Sequence, residues 1–184
     1  MTHFWDDLFA EGDEPDLEAV LLNREERVKK TALFANRYPE STVVTFKLNI
    51  PGPIKSNEKI IRLYEFGMSG FLKQMNMSFK VLESVHEFKP TGPEGFCAIQ
   101  GSPVKIKKCA VELENSPIGA LYDIDVYCMM KDQLMSISRK DLEYPERKCL
   151  ICSHEAKQCA GRRVHSVKEL QQAIIDRCTM EGSM

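Results

Sequence analysis

Leu17, Val20, Leu21, Val28, Leu33 and Phe34 recur at nearly helical spacing between Asp16 and Tyr38, and Pro39 closes the segment, so a helix is predicted there. The period changes at Ser41 to Ile50, where β-branched and apolar residues alternate with polar ones and predict a strand. That strand runs into Pro51-Gly52-Pro53-Ile54-Lys55, a loop in which two prolines fix φ and a glycine permits close backbone approach, ahead of a helix from about Asn57 to Gln74. Phe79 to Phe88 reads as a strand, and Thr91 to Gly95 as a turn into Phe96 to Gln100. Further strands are predicted within Lys105 to Glu114, Leu121 to Met129 and Leu134 to Ser138. Ser166 and Glu169 form a capping box ahead of a helical stripe of Leu170, Ala173, Ile174 and Cys178. No repeat or linker divides the chain. The pattern predicts one α+β domain over residues 16–184, a mainly antiparallel or mixed sheet flanked by helices, with residues 1–15 as an unassigned extension.

Two of these segments alternate carboxylate with hydrophobe: Val111-Glu112-Leu113-Glu114 and Tyr122-Asp123-Ile124-Asp125-Val126. If both are strands, period two puts Glu112 with Glu114 on one face, and Asp123 with Asp125. Like charges so placed oppose folding unless cations neutralise them, and Mg²⁺ is the obvious candidate. A strand carrying two acids in this way suits phosphoryl or nucleotidyl transfer, because Mg²⁺ prefers carboxylate oxygens and shares its other positions with water and phosphates. With Glu112 and Glu114, the two adjacent segments supply four acids. The plainer alternative is an edge strand with solvated acids. Lys55, at the end of a Gly-containing loop before a helix, is a candidate phosphate ligand, while Arg24 and Arg27 fall three apart on the first helix.

The net charge of -2 and 28% charged residues describe an ordinary globule, with no basic surplus for general nucleic-acid binding. No apolar run reaches the ~20 residues of a membrane span and no signal-like segment opens the chain, so a cytoplasmic protein is expected. Seven cysteines, an odd number, argue for thiols or metal ligands over a disulfide framework. Cys149, Cys152, Cys159 and His165, with His154 as a competitor, offer a tetrahedral Zn²⁺ set. The apolar Leu150-Ile151 between the first two favours packed thiols instead.

Read in order, Leu22-Asn23-Arg24-Glu25-Glu26-Arg27, Pro51-Gly52-Pro53-Ile54-Lys55, Gly92-Pro93-Glu94-Gly95, Val111-Glu112-Leu113-Glu114 and Pro117-Ile118-Gly119 are joined by Tyr122-Asp123-Ile124-Asp125-Val126, Ser138-Arg139 and Arg147-Lys148-Cys149-Leu150-Ile151-Cys152 with Cys159 and His165. This ordered set resembles the family of apo-citrate lyase phosphoribosyl-dephospho-CoA transferases over about residues 20 to 175. The chain departs from the pattern at Ala120, where an arginine is expected, and at Gly161-Arg162-Arg163-Val164, which replaces a more basic run. The resemblance implies a nucleotidyltransferase: a serine of the apo acyl carrier subunit of citrate lyase attacks the α-phosphorus of 2'-(5''-triphosphoribosyl)-3'-dephospho-CoA and pyrophosphate leaves. Asp123 and Asp125 would hold Mg²⁺, Glu112 or Glu114 would supply a third ligand or the general base, and Lys55, Arg24, Arg27 and Arg139 would bind the donor. The alternatives are the same transfer to the malonate decarboxylase carrier and a non-catalytic, zinc-stabilised binding module. No nucleic-acid or membrane partner is expected.

Overall fold

The computed structural model describes residues 4–181. In chain order the elements are α1 (Leu17–Arg37), β1 (Thr42–Leu48), α2 (Glu58–Ser78), β2 (Lys80–Lys89), β3 (Gly92–Gln100), α3 (Pro103–Glu114), β4 (Tyr122–Met130), β5 (Gln133–Ile137), α4 (Ala156–Arg162) and α5 (Val167–Met180). The strands form one antiparallel sheet in the order β2-β3-β1-β4-β5, so β1 lies at its centre between two hairpins. Lys131 and Asp132, at φ 50° and 60°, make the two-residue turn between β4 and β5, the left-handed geometry that matches strand twist.

One face of the sheet carries the main core. Val44 and Phe46 of β1, Cys97 and Ile99 of β3, and Tyr122, Ile124 and Val126 of β4 pack on α2 and α3, joined by Ile174 and Cys178 of α5. Close contact there needs two glycines: a Cβ on Gly67 would lie 2.5 Å from the Tyr122 ring, and one on Gly95 would lie 2.6 Å from the Tyr64 hydroxyl. The opposite face, roofed by α1, has a smaller core of Phe34, Ala35, Val43, Phe96 and Ala98. Trp5 and Leu8 are buried in the main core, so part of the unassigned N-terminal segment packs with the domain. Among the described residues no helix is long and apolar enough to cross a membrane.

The fold is α+β, but three sequence expectations fail locally: residues 92–95, expected in a turn, open β3, and the other two concern α3 and α1. Residues 103–114 are a helix, not a strand. Pro103 stands in its first turn, and Ile106, Lys107, Ala110, Val111 and Glu114 are its buried positions, a helical spacing. Four alternating residues are too short a window to separate period 2 from 3.6; the flanking Ile106 and Ala110 carry the distinction. The α1 stripe also points the wrong way. Leu17, Leu21, Val28 and Leu33 are exposed, while Asn23, Thr31, Phe34 and Ala35 are buried. Much of the sheet face beneath α1 is charged, so the helix turns its polar side inward to meet it.

Candidate active site

The polar face of the sheet follows from strand pairing. With Tyr122, Ile124 and Val126 committed to the core, Asp123 and Asp125 of β4 point to the other side, as period two requires. Lys47 of β1 lies opposite Asp123 and Thr45 opposite Asp125. Lys47 in turn lies opposite Glu94 of β3, which faces Glu87 of β2. The result is a charged row across four strands: Asp123, Lys47, Glu94, Glu87. The two adjacent glutamates are neutralised from above by α1. Asn23 donates to Glu94 Oε1 at 2.9 Å, Arg27 Nε to the same oxygen at 2.8 Å, and Lys30 pairs with Glu87. Glu94 Oε2 is buried with no hydrogen-bond partner among the described residues.

Lys47 forms an ion pair with Asp123. Burial pushes its ammonium below the usual lysine range, while the nearby Asp125 charge works in the opposite sense. Arg147 Nη1 reaches Asp123 Oδ1 at 3.1 Å, and its Nη2 donates to the Tyr122 carbonyl. Asp123 is therefore shared between two cations. Asp125, half-buried on the same face, makes no hydrogen bond or ion pair with any described residue.

A cleft of about 870 Å³ opens at the end of the sheet where β1 leaves and β4 enters, reaching Asp123 at one side. Arg147, Lys148, Lys157 and Arg163 bring four cations to its lining, against Asp123 and Glu146. Its far wall is the segment from Glu146 to Ser166, in which Cys149, Cys152, Cys159 and His165 have their sulfur and nitrogen atoms within 4.8 Å of one another. His154 lies outside this group, although its Nδ1 is 3.5 Å from Cys152 Sγ.

The other sequence candidates are placed differently. On a helix, Glu112 and Glu114 stand about 200° apart around the axis and share no face. Glu112 is exposed. Glu114 is buried, with Oε1 accepting from the Ile124 amide at 3.0 Å and Oε2 paired with Arg139 Nη2 at 2.6 Å. Lys107 donates to the Ile124 carbonyl at 2.8 Å. Beyond Val126 and Ile137, the last pair of the β4–β5 ladder, side chains of α3 thus satisfy the backbone of β4 in place of β5. That arrangement commits both Glu114 and Arg139 to structure, leaving neither poised as a base, metal ligand or phosphate anchor. Lys55 Nζ donates to the Ile50 carbonyl at 2.6 Å, inside its own loop and off the cleft lining. Arg24 is exposed on the outer side of α1, whereas Arg27 points to Glu94.

Sequence reading missed Lys47 and Glu94 on the sheet, and Arg147, Lys148, Lys157 and Arg163 at the cleft, as site residues. The signal for Lys47 was present, because it alternates with the buried Phe46 in a strand, but its partner across β1 is set by sheet order alone. A carboxylate pair on one strand face thus stands beside a cleft whose lining carries four cations. The family model for apo-citrate lyase phosphoribosyl-dephospho-CoA transferase matches residues 15–180. Similar proteins include the probable apo-citrate lyase phosphoribosyl-dephospho-CoA transferase of Streptococcus pyogenes serotype M3, 34% identical over 91% of this chain and 88% of the relative. The apo-citrate lyase phosphoribosyl-dephospho-CoA transferases of Citrobacter koseri, 33% identical over 82% of this chain and 81% of the relative, and of Escherichia coli O1:K1, 31% over 88% and 87%, match similarly. The chain belongs to this family and is an enzyme, a transferase.

Proposed function

We propose that this protein attaches the phosphoribosyl-dephospho-CoA group to the apo acyl carrier subunit of citrate lyase, using 2'-(5''-triphosphoribosyl)-3'-dephospho-CoA as donor. A bond forms between the carrier serine Oγ and the α-phosphorus, the bond from that phosphorus to pyrophosphate breaks, and the hydroxyl proton is lost to solvent. The observation that carries this reading is the carboxylate pair of β4, in which Asp123 lines a cleft with Arg147, Lys148, Lys157 and Arg163 and Asp125, on the same strand face, makes no ion pair. Family membership supports the citrate lyase carrier over a non-catalytic binding module.

The donor set fits Mg²⁺. Two carboxylates on one strand face, one of them outside any ion pair, match an ion that takes one or two protein carboxylates and fills its remaining positions with water and phosphate. Bound there, Mg²⁺ supplies neutralising charge to the triphosphate and to the departing pyrophosphate. The chain's own residues do the rest. The four cleft cations bind phosphate oxygens, arginine in a bidentate manner and lysine as a point charge. Lys47 and Arg147 hold the Asp123 carboxylate in place from two sides. The cytoplasm is the compartment this reading implies, where seven cysteines outside any disulfide would persist as thiols or metal ligands.

The test is intact mass spectrometry of purified apo carrier after incubation with donor, Mg²⁺ and enzyme. Wild type should add the mass of the phosphoribosyl-dephospho-CoA group to the carrier serine. Asp125→Asn should lose the reaction by at least about 100-fold, the scale expected when a group stabilising transition-state charge is removed. No mass gain with wild type, or near-normal turnover by the variant at saturating Mg²⁺, overturns the proposal.

A further inference from the structure

Between Cys128 and Ile174 the chain buries one residue, Cys159, which is 6% exposed. The wall of the cleft is therefore built without an apolar core of its own. Ile151, which the sequence suggested was made for packing, is 42% exposed, and only Leu150 leans on the main core. Yet the segment has a definite turn. The Cys149 amide donates to the His154 carbonyl at 2.8 Å, the Ala156 amide to the Arg147 carbonyl at 2.7 Å, and Lys148 bridges Glu155. After α4, which carries Cys159, Arg163 takes a left-handed conformation at φ 50° and brings His165 back to the sulfurs.

The four donor atoms converge. Cys152 Sγ is 3.5 Å from Cys159 Sγ and 3.3 Å from His165 Nε2, and no pair in the group exceeds 4.8 Å. A tetrahedron with bonds of about 2.3 Å has edges of about 3.8 Å, which these separations bracket. Packed thiols do not account for the arrangement, since three of the four residues are only half-buried. A Cys152–Cys159 disulfide would leave Cys149 and His165 without a role. Three thiolates, one neutral imidazole and a divalent ion carry a net charge of −1, which Arg147, Lys148, Lys157 and Arg163 around the same cleft complement.

We propose that Cys149, Cys152, Cys159 and His165 bind one structural Zn²⁺ that folds residues 147–165 into the wall of the cleft and so holds Arg147 on Asp123. Soft thiolates with an imidazole in tetrahedral array select Zn²⁺ over the hard cations, and four protein ligands leave no open position for chemistry. Because such a segment has little else to order it, metal binding is folding free energy for the wall. This inference does not depend on the proposed transfer reaction.

The full-length protein, produced with zinc in the medium and purified without chelator, should contain one zinc atom per chain by elemental analysis. Cys152→Ser and Cys159→Ser should retain less than about a tenth of that, while Cys109→Ser, a thiol outside the cluster, keeps it. Chelation should speed hydrogen exchange in residues 147–165 and leave β1 and β3 unchanged. If the serine variants fail to fold, cobalt substitution of wild type decides, through thiolate-to-metal charge-transfer and intense d–d bands of a tetrahedral site. The proposal is overturned if wild type refolded with excess Zn²⁺ retains less than about a tenth of an equivalent. Equal thiol reactivity with and without Zn²⁺, or loss of two hydrogens marking a disulfide, overturns it too.

Discussion

Asp123 and Asp125 stand two residues apart on one strand and yet differ in what they are worth to the fold. Asp123 is paired with Lys47 and Arg147, so Asp123→Asn leaves two partly buried cations uncompensated and should cost about 1–2 kcal/mol. Asp125 has no such partner, and Asp125→Asn should leave the urea midpoint within about 0.5 kcal/mol of wild type. Both should lose carrier modification. Equal melting of the two variants would contradict this division of roles. Lys55 follows the same logic in reverse. Its ammonium, half-buried and pushed below the usual lysine range by burial, is used on the Ile50 carbonyl. Lys55→Ala should therefore lower stability by about 1 kcal/mol with donor KM unchanged; a large rise in donor KM would return Lys55 to the phosphates.

At the scale of elements, α3 and α1 are attached to the sheet in opposite ways. The α3 helix is riveted to β4 by Glu114 and Lys107 on the Ile124 backbone, with Arg139 paired to Glu114, and Glu114→Ala strands Arg139 and the Ile124 amide together. A loss of about 3–5 kcal/mol is expected in denaturant titrations, with transfer per folded molecule retained. Selective loss of turnover at unchanged stability would instead make Glu114 catalytic. The first half of α1 is held by charge. Burial works against ionisation of Glu87, but Lys30 and Lys89 outweigh it and keep the carboxyl below its usual range. Burial likewise opposes the Lys89 charge, and Glu26 and Glu87 outweigh it to raise the ammonium. The Glu87 contribution is present above the ordinary carboxylate pKa and is lost as pH falls through the depressed value. The Lys89 contribution is present below the ordinary lysine pKa and is lost as pH rises through the raised one. Between these limits the clasp is closed. Hydrogen exchange in residues 17–30 should accelerate below about pH 4, and in molar salt, before that of α2 does. Simultaneous loosening of both helices would show that charge does not hold α1.

For the whole molecule, the segment ahead of α1 belongs to the structure although no motif assigned it. Trp5 and Leu8 fill the main core, and Asn57 ties the Leu8 and Glu11 carbonyls to the start of α2. Removing residues 1–10 should cost roughly 3–6 kcal/mol, the burial of one aromatic and one aliphatic side chain, and is measured by the shift in urea midpoint. An unchanged midpoint would make the segment dispensable.

Local order was legible in the chain where one period ran long enough. The alternation from Tyr122 to Val126, the strand over 42–48 and the Ser166–Glu169 capping box are set by neighbours in sequence, through pleat geometry and helix-end hydrogen bonds, and they stand in the structure. The ordered motifs also carried the family. Four alternating residues at Val111–Glu114 were too few, and a helical stripe on α1 did not say which side would meet the sheet. Those outcomes belong to tertiary structure. Strand order put Lys47 between Asp123 and Glu94, which then required the polar side of α1. The end of β5 opposite Val126 left the Ile124 backbone for α3 to satisfy, and drew Glu114 and Arg139 out of the candidate site. The sequence by itself determined which residues could form strands, caps and acid pairs, because those depend on near neighbours. Only the fold decided which charges would meet, because a charge far along the chain is worth nothing to a site until packing brings it within a few ångströms.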